Sequence, residues 1–269
     1  MAKGKERLDV LLVQQGLLPS REKAKAAIMA GLIYTGGQRA DKPGMEFPET
    51  TVFEFKGQTL PYVSRGGLKL EKALKVFPVD FSQCVIADMG ASTGGFTDCA
   101  LQNGAARIYA IDVGYGQLDW KLRTDPRVVS MERVNARYLT ADDLPEKVDW
   151  VVSDLAFISV TKVFTAMRAI LHDKGQVISL IKPQFEAGRE QVGKKGVVKD
   201  PDIHAQVIIQ VLSEAEAHGF TIRGIEYSPI RGPEGNIEYL AWLAVQGDEG
   251  IDWRSKVADL VQRAQRGTE

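Results

Sequence analysis

Hydrophobic and polar positions divide the chain into a short first part and a longer second part. In the first, the apolar residues of Leu8–Leu12 follow the three-four spacing of an amphipathic helix. A second helix begins after the N-cap residue Ser20 and ends at Gly31. Two strand-like runs, 32–35 and 51–55, follow with glycine-containing turns between them. The pattern predicts two short helices and a small antiparallel sheet.

From residue 85 onward the pattern changes to short apolar runs separated by helical periodicity. Strands of a parallel sheet have this continuous apolar pattern because helices cover both faces. The predicted strands are 85–90, 107–113, 128–131, 148–154, 176–181, 221–227 and 237–245, and the main helices are 160–171, 203–217 and 252–266. The last two strands have no helix between them, so we expect them to pair antiparallel. The second part is therefore predicted to be a doubly wound α/β sheet, mostly parallel, with an antiparallel last strand.

The distribution of charge also differs between the two parts. The 269 residues contain 34 Lys+Arg against 35 Asp+Glu, and this net charge of −1 alone argues against a nucleic-acid partner. Residues 1–80, however, hold 13 basic and 9 acidic residues, net +4, whereas residues 81–269 hold 21 and 26, net −5. The asymmetry suggests a boundary near residues 60–80 between a basic first domain and an acidic second domain.

Several protein classes do not fit the sequence. Two cysteines and three histidines are too few for a disulfide framework or a histidine-based metal site. No apolar run approaches the roughly 20 residues that span a bilayer, and the N-terminus lacks the apolar stretch of a signal peptide. We therefore expect a cytoplasmic protein that needs no metal and does not associate with membranes.

Candidate cofactor-binding residues lie where predicted strands end, which is where parallel sheets bind ligands. The glycine-rich run after Asp88 allows a close backbone approach, although it is not the Gly-x-Gly-x-x-Gly fingerprint. Asp112 is placed to bind ribose hydroxyls, as a similar Asp does in NAD enzymes. An acidic cleft suits the cationic sulfonium of S-adenosylmethionine better than a pyrophosphate. The residues expected to contact the cofactor are Asp88, Gly90, Ala91, Ser92, Thr93, Gly94, Gly95, Phe96, Asp112 and Asp154.

Four further positions are candidates for chemistry: Lys69, Asp154, Lys182 and Glu238. Any of them could instead be a surface charge or one member of an ion pair, the commoner fate of Lys and Glu. For Lys182 this alternative is weaker, because it directly follows an apolar strand at the ligand-binding edge of the sheet.

The first part resembles a known RNA-binding domain. Its matching motifs are Arg7-Leu8-Asp9, Ser20-Arg21-Glu22-Lys23-Ala24, Gly31-Leu32-Ile33-Tyr34 and Lys42-Pro43-Gly44. These are similar to the small α+β domain named after ribosomal protein S-four. The resemblance implies that Arg7, Arg21, Lys23 and Lys42 contact RNA phosphates. The alternative is a structural or protein-binding domain whose basic residues are merely solvated.

Nearly the whole chain resembles one enzyme family. The motifs are Tyr62-Val63-Ser64-Arg65-Gly66-Gly67-Leu68-Lys69-Leu70, residues 88–98, residues 153–159, Ile181-Lys182-Pro183-Gln184-Phe185-Glu186 and residues 232–239. Together they resemble the TlyA-type family, which often carries the label hemolysin and is related to the FtsJ-like rRNA 2′-O-methyltransferases. The resemblance implies a Rossmann-like methyltransferase domain over 63–250, preceded by the S-four-like domain at 1–62 and followed by a helical tail at 251–269.

The resemblance also implies a reaction: methyl transfer from S-adenosylmethionine to a ribose 2′-hydroxyl of ribosomal RNA, free or in a ribosomal subunit, with cytidine as the expected target. The family's Lys-Asp-Lys-Glu tetrad falls on Lys69, Asp154, Lys182 and Glu238, with Lys182 as the base. A neutral lysine is needed for that role. The basic, glycine-rich segment 187–199 is expected to be a mobile loop that closes over RNA. The RNA contacts expected from this domain are Arg65, Arg189, Lys194 and Lys195.

Two other functions remain open from sequence. The hemolysin label suggests a membrane-lysing protein, although the sequence has no membrane-inserting segment. The third hypothesis is an RNA-binding protein whose methyltransferase fold is inactive, and the intact tetrad argues against it.

Overall fold

The computed structural model describes residues 4–57, 60–246 and 250–267. The chain forms two compact units, Met1–Thr59 and Leu60–Glu269. The terminal helix, which the sequence analysis separated as a tail at 251–269, belongs to the second unit. It does so because Trp253, Val257 and Leu260 are buried in the core of that unit. In the described part of the chain, no helix has the length and apolar character that crossing a membrane requires.

The first unit is the expected small α+β domain. Its helices are α1 (Leu8–Gln14) and α2 (Arg21–Met29), and its strands are β1 (Lys5–Arg7), β2 (Ile33–Thr35), β3 (Gln38–Arg39), β4 (Glu46–Pro48) and β5 (Glu54–Phe55). The Ser20 hydroxyl caps α2 by accepting from the Lys23 amide at 3.3 Å. Instead of one sheet there are two: β1 pairs with β4, and β2 lies between β3 and β5, all antiparallel. Strands of two or three residues are too short to show periodicity.

The second unit alternates strands and helices. Its strands are β6 (Val85–Met89), β7 (Arg107–Asp112), β8 (Val128–Glu132), β9 (Val148–Ser153), β10 (Leu171–Ile181), β11 (Thr221–Tyr227) and β12 (Tyr239–Ala244). Its α-helices are α3 (Gly67–Val76), α4 (Gly95–Gln102), α5 (Trp120–Arg123), α6 (Phe164–Ile170), α7 (Pro183–Glu186), α8 (Pro201–Ala217) and α9 (Val257–Gly267). Single 3₁₀ turns cover Ala136–Tyr138, Ala141–Asp143, Val160–Val163, Arg189–Gln191 and Arg254–Lys256. The helix predicted over 160–171 is therefore split into a 3₁₀ turn and α6.

One seven-stranded sheet organises this unit, in the order β11-β12-β10-β9-β6-β7-β8. Strands β10, β9, β6, β7 and β8 are parallel, whereas β12 is antiparallel to both of its neighbours. The predicted α/β sheet with an antiparallel end is thus confirmed. The chain leaves β6 toward β7 but later returns to β9 on the other side of β6. This reversal makes a crevice at the carboxyl ends of β6 and β9 the expected ligand site.

Apolar side chains cover both faces of the sheet. Along β9, Trp150 and Val152 pack on one face and Val151 on the other, each side joining a separate core cluster. Side chains of a strand point alternately to its two faces. Burial of both faces is the reason that the central strands show continuous apolar runs.

Candidate active site

A glycine-rich loop, residues 90–95, connects β6 to α4 beside the crevice. Gly90 and Gly94 have φ values of +86° and +94°, which L side chains rarely adopt. A Cβ atom on Gly90 would lie 3.0 Å from the carbonyl oxygen of Asp154, and one on Gly95 would lie 2.4 Å from Ser64 Oγ. Glycine therefore lets the carboxyl ends of β6 and β9 approach each other, and lets the segment before α3 pack on α4.

The four predicted catalytic residues meet at this edge, although they come from four distant segments. Asp154 follows β9, Lys182 follows β10, Glu238 precedes β12, and Lys69 lies in the first turn of α3. Lys69 Nζ lies 2.7 Å from Glu238 Oε2 and 3.1 Å from Asp154 Oδ2. Lys182 Nζ lies 2.5 Å from Asp154 Oδ1. The charges thus alternate in the order Glu238, Lys69, Asp154, Lys182, and we call this group the tetrad.

The tetrad holds its charges in a largely buried environment. Glu238 is 1% exposed, and the side chains of Lys69 and Lys182 are 8% and 10% exposed. Burial disfavours the charge on Lys69, but the carboxylates of Asp154 and Glu238 outweigh it and raise the pKa of Lys69 above its ordinary value. Burial likewise opposes ionisation of Asp154, but Lys69 and Lys182 outweigh it and lower the pKa of that carboxyl. Lys69 is therefore a fixed positive charge.

Two cavities meet at the tetrad. The larger, of about 610 Å³, is lined by all four tetrad residues and by the glycine-rich loop. The smaller, of about 430 Å³, lies over the end of β7 and is lined by Asp112, Asn135 and Arg137 among others. Both include Gly90, Ser92, Asp154, Ala156 and Phe157 in their walls. Together they form a two-lobed cleft of the size that proteins use for small-molecule ligands.

Most residues predicted to contact the cofactor line this cleft. Gly90, Ala91, Ser92, Thr93, Gly95, Phe96 and Asp154 line the larger cavity, and Asp112 lines the smaller one. The orientation of Asp112 is set by two backbone amides: its Oδ2 accepts from Ser92 at 2.8 Å and its Oδ1 from Gly114 at 2.7 Å. Carboxylate oxygens have further acceptor capacity, so Asp112 retains the ability to bind hydroxyls. Gly94 shapes the start of α4 in its left-handed conformation.

Asp88 has a different position from the one expected. Its side chain is fully buried, and its Oδ2 accepts a 2.6 Å hydrogen bond from Thr97 Oγ1 inside the domain. Its Oδ1 has no hydrogen-bond partner among the described residues. Burial raises the pKa of Asp88 to about 7, against the opposing effect of the Thr97 hydrogen bond. Asp88 therefore supports the loop from below and does not line the cleft.

The predicted RNA contacts of the first unit fall into two kinds. Arg7 and Arg21 both bind the fully buried carboxylate of Asp9, at 2.9 and 2.8 Å, while remaining about half exposed. Lys23 and Lys42 are exposed side chains. The two arginines are thus fixed in place by a buried acid and still present part of each guanidinium to solvent.

The basic residues predicted in the second unit are all exposed, and one of them reaches the cleft. Arg65 lines the larger cavity, and its Nη2 donates to the carbonyl oxygen of Arg231. Lys194 and Lys195 line a separate cavity of about 880 Å³, and Arg189 lies in the preceding 3₁₀ turn.

Segment 187–199 was expected to be mobile, but it is attached near its end. The Val198 amide donates a hydrogen bond to Asn236 Oδ1 at 3.1 Å. Motion of the rest of the segment stays a prediction.

Sequence reasoning missed an aromatic residue at the junction of the two cavities. Phe157 is 92% exposed and has a φ of +63°, a left-handed conformation that is unusual for a bulky residue. Its ring centroid lies 5.3 Å from that of Phe185. The sequence signal for Phe157 was its position three residues after Asp154, within the motif 153–159.

Comparison with known proteins shows two family matches. The FtsJ-like methyltransferase family matches residues 62–245, and the S4 domain family matches residues 6–51. The chain is 52% identical to YqxC of Bacillus subtilis over 92% of this chain and 89% of that protein. It is 42% identical to the 16S/23S rRNA (cytidine-2′-O)-methyltransferase TlyA of Mycobacterium tuberculosis, over 96% of each chain. A solved structure from Streptococcus thermophilus that carries the name hemolysin has 47% identity and a TM-score of 0.78, covering 99% of this chain and 98% of that one.

Proposed function

Because this chain belongs to the FtsJ-like methyltransferase family, we propose that it transfers a methyl group from S-adenosylmethionine to a ribose 2′-hydroxyl of ribosomal RNA. The observation that carries the proposal is the tetrad, in which two lysines and two carboxylates alternate along the wall of the larger cavity. Cytidine is the proposed target nucleoside, because the M. tuberculosis relative is named for that specificity. The tetrad offers a proton acceptor and a fixed cation, which methyl transfer to a hydroxyl would use and membrane lysis would not.

The two-lobed cleft fits S-adenosylmethionine. Glycine at position 90 keeps the loop close to Asp154, because a Cβ there would lie 3.0 Å from the Asp154 carbonyl oxygen. Asp112 in the smaller cavity is held by the backbone amides of Ser92 and Gly114, and its carboxylate suits ribose hydroxyls and favours a cationic ligand. When bound, this cofactor would supply an electrophilic methyl group on a sulfonium sulfur, and the neutral thioether S-adenosylhomocysteine would be the leaving group.

Lys182 is the proposed proton acceptor. A ribose hydroxyl must lose its proton as it attacks the methyl carbon, and a lysine accepts that proton only when its amine is neutral. Lys69 has two carboxylate neighbours and is held as a cation, whereas Lys182 has an ion pair with only one carboxylate, Asp154, among the described residues. The alternating order therefore supports Lys69 as the fixed charge and Lys182 as the base.

Asp154, Glu238 and Lys69 are proposed to orient the reacting groups and to stabilise the charge that develops during the reaction. Asp154 binds one lysine with each of its carboxylate oxygens and so sets the distance between the two amines. Glu238 holds Lys69 from the opposite side. The ammonium of Lys69 stabilises the negative charge that develops on the 2′-oxygen, since a preoriented charge in a water-poor site stabilises strongly. Correct placement of the hydroxyl supplies much of the remaining acceleration.

The S4 domain is proposed to hold the RNA substrate. Arg7 and Arg21, fixed by Asp9, and the exposed Lys23 and Lys42 supply the positive charge for phosphates. Arg65, Arg189, Lys194 and Lys195 are proposed to contact RNA near the catalytic cleft. Phe157 offers a ring on which an unstacked base can lie. Ribosomal RNA as substrate implies a cytoplasmic location.

The proposal is tested by incubating ribosomal RNA and ribosomal subunits with cofactor that carries a labelled methyl group. Wild-type protein should transfer label, and Lys182→Ala should lose transfer while still binding the cofactor in calorimetry. Lys174→Ala is the matched control, because Lys174 is an exposed lysine in the same strand that leads to Lys182. Full transfer by Lys182→Ala would overturn the assignment of the base. Failure of wild-type protein to bind the cofactor would favour an inactive RNA-binding protein.

A further inference from the structure

Two buried side chains flank Glu238 along the chain, and both are tied to segment 187–199. Asn236 is 2% exposed and Tyr239 is 1% exposed. Asn236 Oδ1 accepts from the Val198 amide at 3.1 Å, and its Nδ2 donates to the Gly196 carbonyl at 2.8 Å. The residue two positions before Glu238 thus binds this segment as a neighbouring strand would.

Tyr239 reaches the same segment through a histidine. His204 in α8 is completely buried, and its Nδ1 lies 2.8 Å from Tyr239 Oη while its Nε2 lies 2.9 Å from the Val198 carbonyl oxygen. A carbonyl oxygen only accepts hydrogen bonds, so Nε2 must carry a proton and donate it. Burial lowers the pKa of His204 and favours the neutral ring. Nδ1 of a neutral ring then accepts, which makes the Tyr239 hydroxyl the donor.

These bonds close a ring around one residue, Val198. Val198 donates its amide to Asn236 and accepts from His204, and His204 in turn accepts from Tyr239. Glu238 lies between the two residues of this ring that belong to its own strand segment. Its backbone is held further by the Ser228 amide, which donates to the Glu238 carbonyl oxygen at 2.8 Å. The tetrad mechanism described above uses none of Asn236, Val198, His204 or Tyr239.

We propose that His204 and Tyr239 are positioning residues for the reaction, holding Glu238 against Lys69 through the buried ring at Val198. Fixing Tyr239 and Asn236 on either side of Glu238 leaves its side chain little freedom to leave Lys69. The same ring joins the catalytic carboxylate to the segment that carries Arg189, Lys194 and Lys195.

This inference rests on the proposed function for its kinetic part, and two variants test it. Tyr239→Phe removes the hydroxyl and keeps the ring that packs in the core. His204→Leu removes both histidine bonds, whereas His204→Gln keeps an N–H that can donate to the Val198 carbonyl. His218→Leu is the control, because His218 caps the C-terminus of the same helix and its side chain, among the described residues, bonds only to Glu214 of that helix.

We expect Tyr239→Phe and His204→Leu to lower kcat by about tenfold to a hundredfold, as small misplacements of catalytic groups do. KM for RNA and the affinity for the cofactor should stay within about twofold, and His204→Gln should recover most of the rate. Amide hydrogen exchange read residue by residue should be faster at Val198 and Ser228 in both variants and unchanged in His218→Leu.

Different outcomes test the proposed methyltransferase function and the positioning role of His204 and Tyr239. If the wild type methylates no RNA, the proposed function fails, and exchange at the Ser228 amide still reports whether the ring holds Glu238. The inference is overturned if folded Tyr239→Phe keeps the wild-type kcat and wild-type exchange at Ser228. It is also overturned if kcat falls only in proportion to the loss of folded protein or of cofactor affinity, because that result would indicate a purely structural role.

Discussion

Lys69 and Glu238 form an ion pair of 2.7 Å in which almost none of either side chain is exposed. The pair contacts Asp154 through Lys69, so it belongs both to the proposed catalytic tetrad and to the buried structure. Buried charges of this kind stabilise only while they are paired, since an isolated charge in the interior is strongly disfavoured. The arrangement therefore predicts a defined pattern of stability among tetrad variants.

Lys69→Met should lower the free energy of unfolding by about 3–5 kcal/mol, because it leaves the Glu238 carboxylate buried without a cation. The double variant Lys69→Met/Glu238→Gln should recover most of this loss, since no uncompensated charge remains at that position. Urea unfolding of the single and double variants at pH 7 measures both values. Equal destabilisation of the two proteins would show that the ion pair is not the source of the effect.

Because the pKa of Asp88 is raised in the folded protein, we expect the free energy of unfolding to depend on pH. Its pKa is raised by burial from 3.8 to about 7 in the folded protein. Between these values the folded state keeps a proton that the unfolded state releases, so stability falls as pH rises, by about 1.4 kcal/mol for each pH unit. Asp88→Asn should lack this loss, and its melting temperature relative to wild type should rise between pH 5 and pH 8. A pH-independent difference, matching that of the exposed control Asp173→Asn, would contradict the assignment.

Alanine variants of Arg21 and Lys23, two residues of α2, should differ in their effects on stability and on RNA binding. Lys23→Ala removes an exposed charge, so it should weaken RNA binding and reduce the salt slope by about one. Arg21→Ala should do the same and also destabilise the S4 domain by about 1–3 kcal/mol, because Asp9 loses a charged hydrogen-bond partner. RNA affinity measured across a salt series, together with thermal unfolding, distinguishes the two. An unchanged salt slope in both variants would remove this helix from the RNA interface.

Phe157 should affect methyl transfer without supporting the fold. Its ring is 92% exposed, so Phe157→Leu should not lower the melting temperature. Loss of a stacking surface for a base costs about 1–3 kcal/mol, which predicts a reduction of kcat/KM for RNA of about tenfold or more. Phe157→Tyr keeps an aromatic face and should retain most of the activity. Wild-type kinetics in Phe157→Leu would show that no base stacks on this residue.

The sequence allowed prediction of the elements with long, regular patterns. Apart from the start of β10, the parallel strands and α8 were predicted to within a few residues because their apolar positions are numerous and regular. The first unit was harder: β1, β3 and β4 have only two or three residues each, and their pairing depends on turns and long-range contacts. Strand β10 also begins earlier than predicted, at Leu171, where polar residues hide its start.

The site was predictable by residue type more than by orientation. The resemblance identified the tetrad, and the parallel topology explains why Asp154 and Lys182 meet at one edge. The orientation of Asp88 could not be read from sequence, because a residue that ends a strand can point into the cleft or into the core. The environment of Asp9 could not be predicted from sequence either, because its burial between two arginines depends on the packing of α1 against α2.

The position of the transferred methyl group on the RNA distinguishes ribose methylation from base methylation. Ribosomal subunits are incubated with the wild-type protein and isotopically labelled cofactor, and the RNA is digested to nucleosides for mass spectrometry. The account predicts label on the ribose of cytidine, as the 2′-O-methyl nucleoside, and no label with Lys182→Ala. Label on a base, or equal labelling by wild type and Lys182→Ala, would contradict it.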